Sequence, residues 1–154
     1  MISLEHLKLL APKAARLEPG TGGTPEITFQ EVADALAGLS NLARDYARYK
    51  YALDKRYLPF IRHALILIGA EHQRQSKGPT NSLMYWSNLI GIALEFTVDG
   101  KAFSLRRKAR RVGKRHWSRN DEENFMSIVD AIDRAEHELR STLKEWNERL
   151  HGQP

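Results

Sequence analysis

Apolar residues recur at helical spacing along most of the chain, and the interruptions between those stripes divide it into elements. Residues 1–10 put Leu4, Leu7 and Leu10 on one side of a short helix. Residues 11–26 hold three prolines and three glycines, a composition that predicts an extended arm and no packed element. A helix start follows at Ile27–Val32. There Thr28 is placed to cap Glu31, and Ile27 to pack on Val32. Val32, Leu36, Leu39, Ala43, Tyr46 and Leu53 continue one stripe. Gly38 interrupts it just before Ser40, a competent N-cap, so the segment reads as one kinked helix or as two helices joined by a tight turn.

Pro59 suits the first turn of the next helix, where no N–H donor is needed. Phe60–Ala70 is apolar almost all round, which predicts a helix central in the core. Residues 73–82 read as a loop, and a helix follows from about Ser82 to Leu94. The pattern then changes. Asp99-Gly100 stands between Glu95–Val98 and Lys101–Ser104, a β-hairpin signal in which Phe96 would face Phe103. Leu105, Ala109 and Val112 give the next segment one thin apolar stripe. Ser118 or Asn120 caps a last helix of about 30 residues. Its apolar positions are Phe125, Val129, Ile132, Leu139, Leu143, Trp146 and Leu150, with Glu136 as the one misfit.

These elements predict a mainly α protein, a compact bundle of about five helices with one β-hairpin near residues 95–104. Residues 1–26 form a short helix and an extended N-terminal arm, and residues 27–154 a single helical domain. Leu65, Ile66, Ile68, Leu89, Ile90, Phe125, Val129 and Ile132 are the expected core. The length of 154 residues suffices to bury about two-thirds of the unfolded surface. Cysteine is absent, which excludes disulfides and thiolate-ligated metals and fits a cytoplasmic protein. The longest dense apolar run, Ala64–Ala70, is too short to span a bilayer, so no membrane association is expected.

Charge changes the picture more than composition does. The chain carries a net charge of +5, yet Lys101, Arg106, Arg107, Lys108, Arg110, Arg111, Lys114, Arg115 and Arg119 supply nine positive charges in a stretch without an acid. Residues 120–154 hold nine acids against four bases. Like charges packed this closely are relieved by a polyanion, and nucleic acid supplies one with release of counterions. The acidic last helix is the alternative source of neutralisation. Trp117 either stacks on a base or anchors the segment to the core.

A second basic group is Arg44, Arg48 and Lys50. With Asn41 they follow Glu31–Leu36 and Gly38-Leu39-Ser40, which is the order of a helix-turn-helix. Against that reading, Ala37 lengthens the first helix by one residue. Tyr46, Tyr49, Tyr51 and Tyr57 interleave with these cations, as stacking platforms or as core-boundary tyrosines.

Enzyme signals are poor. Asp99-Gly100-Lys101 matches the acid-x-Lys half of a metal-dependent nuclease site, but 19 acids and nine lysines produce about one such triple by chance. His63, His72, His116 and His137 lack the spacing of a helical metal site. No catalytic residue, metal ligand or cofactor is expected. The sequence therefore predicts a non-enzymatic nucleic-acid-binding or transcription-associated accessory factor that takes DNA or RNA. The alternative is an adaptor or inhibitor that docks on an acidic protein, and a small nuclease comes third. The far end of the last helix could pair two copies into a homodimer.

Overall fold

A computed structural model describes residues 1–11 and 27–151. The helical class is borne out. Among the described residues six α-helices are formed: α1 (Phe29–Ala35), α2 (Asn41–Lys50), α3 (Leu58–Gln75), α4 (Leu83–Thr97), α5 (Leu105–Arg111) and α6 (Arg119–His151). Short 3-10 helices cover Leu4–Leu10 and Lys55–Tyr57. The arm expected at residues 11–26 lies, apart from Ala11, outside the described residues. The chain divides into two units. One comprises Met1–Pro59 and Ala135–Pro154, the other Phe60–Arg134, and α6 contributes to both.

In the first unit the break at Gly38 resolves into two helices. Thr28 Oγ1 accepts from Glu31 N at 3.2 Å and Ser40 Oγ from Ala43 N at 3.3 Å, so each helix start has the cap its sequence offers. Leu7, Val32, Ala43, Tyr46 and Ala47 pack inside, joined by Leu139 and Leu143 of α6. Leu143 is thus covered by its own chain and Trp146 is half-buried, leaving Leu150 as the exposed residue of the seam expected to meet a second copy. Leu53 takes a positive φ of 56°, a conformation that costs a branched side chain energy.

In the second unit Leu65, Leu89, Ile90, Phe125, Val129 and Ile132 are buried as expected. Ile66 and Ile68 are only half-buried. Helix α3 is not wrapped on all sides: Ile61, Leu65 and Gly69 face the core, whereas Phe60 is 60% and Leu67 57% exposed. At Gly69 the helix passes close to a ring, since a Cβ there would stand 2.7 Å from Trp86 Cε3. Trp86 is fixed in turn by donating its indole N–H to Gln73 Oε1 at 3.2 Å.

The β-hairpin expected at 95–104 is not formed, and no strand occurs among the described residues. Helix α4 runs through Phe96 to Thr97, because Phe96 continues its apolar period and packs edge-on against Phe125 at 5.9 Å. Thr97 Oγ1 donates back to Ala93 O at 2.7 Å. Asp99-Gly100 then stops the helix. Gly100 takes φ 70°, and Lys101 N donates to Glu95 O at 3.1 Å. The left-handed glycine that a type I′ turn requires is equally what a helix C-terminus requires.

Candidate nucleic-acid interface

Helix α5 presents the basic run. Ser104 Oγ caps Arg107 N at 3.2 Å, and Gly113 (φ 78°) closes the other end. There Lys114 N donates to Ala109 O at 2.8 Å and Gly113 N to Arg110 O at 3.1 Å, a Schellman pair. At about 100° per residue, the buried Lys108, Ala109 and Val112 share one side of the helix, and the exposed Arg106, Arg107, Arg110 and Arg111 share the other. Leu105, expected in the inward stripe, is 60% exposed, and Lys108 lies inward in its place.

Much of the expected basic face is neutralised from within the unit. Lys108 Nζ stands 4.5 Å from the Phe125 ring centre and 5.0 Å from that of Trp117, and pairs with Glu122 at 3.0 Å. Trp117 is an anchor: its ring meets Phe125 edge-on, and its N–H donates to Glu122 Oε1 at 2.8 Å. Burial opposes the charge on Glu122, but the Trp117 and Lys108 donors outweigh it and hold its carboxyl below the usual range.

Lys114 donates at 2.8 Å to Asp121, whose side chain is fully enclosed. Asp121 also accepts from Tyr85 Oη at 2.7 Å and from the Ser118 backbone and hydroxyl at 2.9 and 2.8 Å. Burial alone would raise its carboxyl, yet Lys114, Tyr85 and Ser118 together hold it at about 2. Asn124 completes the network by donating to Tyr85 Oη at 3.1 Å. Glu95 takes both Lys101, at 3.3 Å, and Arg111, at 2.5 Å. The Arg111 hydrogen bond is the main reason the Glu95 carboxyl lies below its ordinary value. Arg119, almost wholly exposed, reaches Glu123 at 3.5 Å.

Four arginines remain. Among the described residues no carboxylate lies within 4 Å of Arg106, Arg107, Arg110 or Arg115, and all four are exposed. The Arg107 guanidinium stands over the Phe103 ring at 5.0 Å, with Arg111 over the same ring at 5.8 Å.

The second basic group is bound up within its own unit. Lys50 pairs with Glu136 at 3.0 Å, Arg44 donates to Leu39 O at 3.1 Å, and Arg48 donates to the Tyr57 hydroxyl. Glu136, the misfit of the α6 stripe, also accepts from Tyr46, Tyr51 and Arg140. Burial works against its charge, but these donors and Lys50 hold its carboxyl at about 2. A polar residue inside an apolar heptad was the available signal for this cluster.

Asp99-Gly100-Lys101, the acid-x-Lys triple, is the stop of α4 with its lysine on Glu95. Among the described residues no three His, Asp or Glu side chains converge as metal ligands. An open cleft of about 530 Å³ between α3 and α6 holds Ile68, His72, Glu123, Met126, Asp130 and Arg134. The hydroxyl of Ser127, also in its wall, donates to Asn124 O at 2.6 Å. Among the described residues no helix is long and apolar enough to cross a membrane. No protein-family model, no curated protein and no solved structure matches the chain.

Proposed function

We propose that this protein is a non-enzymatic nucleic-acid-binding factor that grips phosphates with the outward face of α5. The observation that carries the reading is the exposure of Arg106, Arg107, Arg110 and Arg115 without a carboxylate partner among the described residues, while neighbouring cations of the same run have one. An ion-pair network built only for stability has no need of these four. Guanidinium groups suit phosphate oxygens because they offer paired N–H donors in one plane. A seven-residue helix is only about 10 Å long, so its contacts are to a short stretch of backbone and favour electrostatic over sequence-specific binding.

The test is a binding titration against labelled duplex DNA, single-stranded DNA and RNA over a range of salt. Replacing Arg106, Arg107 and Arg110 with Gln should weaken binding and lower the salt slope by about 2.7 units on duplex DNA. The helical circular-dichroism signal should persist, because these side chains carry no ion pair among the described residues. Absence of binding by the unaltered protein at low salt defeats the reading and favours an acidic protein as the partner of the same face.

A further inference from the structure

Helix α4 brings a cation from outside the basic run to the edge of this face. Ser87, Gly91 and Glu95 lie one above another at four-residue steps. Arg62, from α3, donates from Nη1 to Ser87 O at 3.3 Å. Its Nη2 lies 3.6 Å from the point where a Cβ of Gly91 would stand, and Arg111 Nη2 lies 3.7 Å from that same point. Two guanidinium groups therefore lie together over the buried α4 backbone at Gly91. Among the described residues no carboxylate lies within 4 Å of Arg62; Glu95, one turn further on, takes Arg111 and Lys101.

We infer that Arg62, Lys101 and Arg111 form one phosphate-binding site over Gly91, in which the Glu95 carboxylate is a built-in competitor for the phosphate. Lys101 and Arg111 face the one Glu95 carboxylate and Arg62 adds a third cation beside Arg111, so the cluster has a positive excess that a backbone phosphate neutralises. Adjacent guanidinium groups repel until an anion lies between them, and Glu95 relieves only the Arg111 side. A side chain at position 91 would occupy the patch the two arginines share. The Phe103 ring keeps Arg111 beside Arg107, which joins this site to the outward face of α5. The inference rests on the proposed nucleic-acid binding and assigns it an additional contact and an internal regulator.

The experiment measures affinity of the full chain for a fluorescein-labelled 20-base-pair DNA duplex by anisotropy, from 50 to 200 mM NaCl. Arg62→Gln should lower the salt slope by about 0.9, which shrinks the affinity lost across that range by about 3.5-fold. Arg62→Lys, which keeps the charge, should restore the slope even if both variants melt earlier. Glu95→Gln should tighten binding and steepen the slope by up to about 1.8, because Lys101 and Arg111 become available. Asp130→Asn makes the same change in net charge at an exposed residue without an ion pair among the described residues, and should leave the slope as it was. If the unaltered protein binds but both Arg62→Gln and Glu95→Gln keep its slope, or if Asp130→Asn steepens it as much as Glu95→Gln, the site is overturned and the α5 face stands. If the unaltered protein does not bind at 50 mM NaCl, both fall together.

Discussion

Replacing Asp121 with Asn removes the charge from the most enclosed carboxylate among the described residues while preserving its shape. Four hydrogen bonds converge on it, from Tyr85, Lys114 and twice from Ser118. An amide can accept on one atom only, so its N–H groups would confront donors, and Lys114 would lose its counter-charge. Breaking a buried pair from one side costs about 3–5 kcal/mol; with Lys114 one-third exposed, the expected loss is about 3 kcal/mol at pH 7. The pH dependence gives a second check. The carboxyl falls from 3.8 to about 2 on folding, which is worth about 2 kcal/mol. Because the folded value is the lower one, that contribution is complete above pH 4 and disappears as pH falls through 2. Urea denaturation of both proteins, followed by far-ultraviolet circular dichroism, should show the difference narrowing by about 2 kcal/mol between pH 7 and pH 2. Glu136 titrates in both proteins and cancels from the difference. A loss below about 1 kcal/mol at pH 7, or a gap that does not change with pH, refutes the reasoning.

Three further outcomes are expected. Gly69→Ala should destabilise by about 1–3 kcal/mol, since its Cβ would press on a ring that is itself buried and hydrogen-bonded; a gain of stability, the usual result in an exposed helix, contradicts the close approach. Leu65→Ala and Ile132→Ala should each cost about 2–5 kcal/mol in urea, and losses below about 1 kcal/mol at both sites show the core misplaced. Glu136→Gln should lower the denaturation midpoint by the equivalent of about 2–3 kcal/mol at pH 7, because two tyrosines, Lys50 and Arg140 share that carboxylate; an unchanged midpoint removes the cluster from the list of stabilising features.

Helix starts were legible in the sequence because a cap is a contact over three residues: Thr28, Ser40, Ser82 and Ser118 each hold the backbone N–H three positions on. What depends on distant chain was not. Asp99-Gly100 has one local signature for two structures, and the choice fell to Phe96, whose ring finds Phe125 only once α6 is in place. Lys108 looked like its basic neighbours until Trp117, Glu122 and Phe125 closed around it. Phe60–Ala70 read as core on every side because periodicity cannot show how many of a helix's faces will find a neighbour; Phe60 and Leu67 stay exposed. Of the nine cations of the run, the sequence shows all as equivalent, and only the fold separates five that have carboxylates from four that have none among the described residues. Arg62, a single charge in an apolar stretch, carries no sequence signal that relates it to residues 101–119.

The most direct test of the proposed function is the slope of log affinity against log salt for the unaltered protein on duplex DNA. If the exposed arginines without a carboxylate partner among the described residues make the contacts, the slope is about −4, and affinity falls roughly 150- to 500-fold from 50 to 200 mM salt. If all nine cations of the run were engaged, the slope would be about −8, a loss of roughly 70,000-fold. A slope near −4 that drops toward −1 when Arg106, Arg107 and Arg110 become Gln is the predicted result. A slope near −8, or one that the three substitutions leave unchanged, contradicts it.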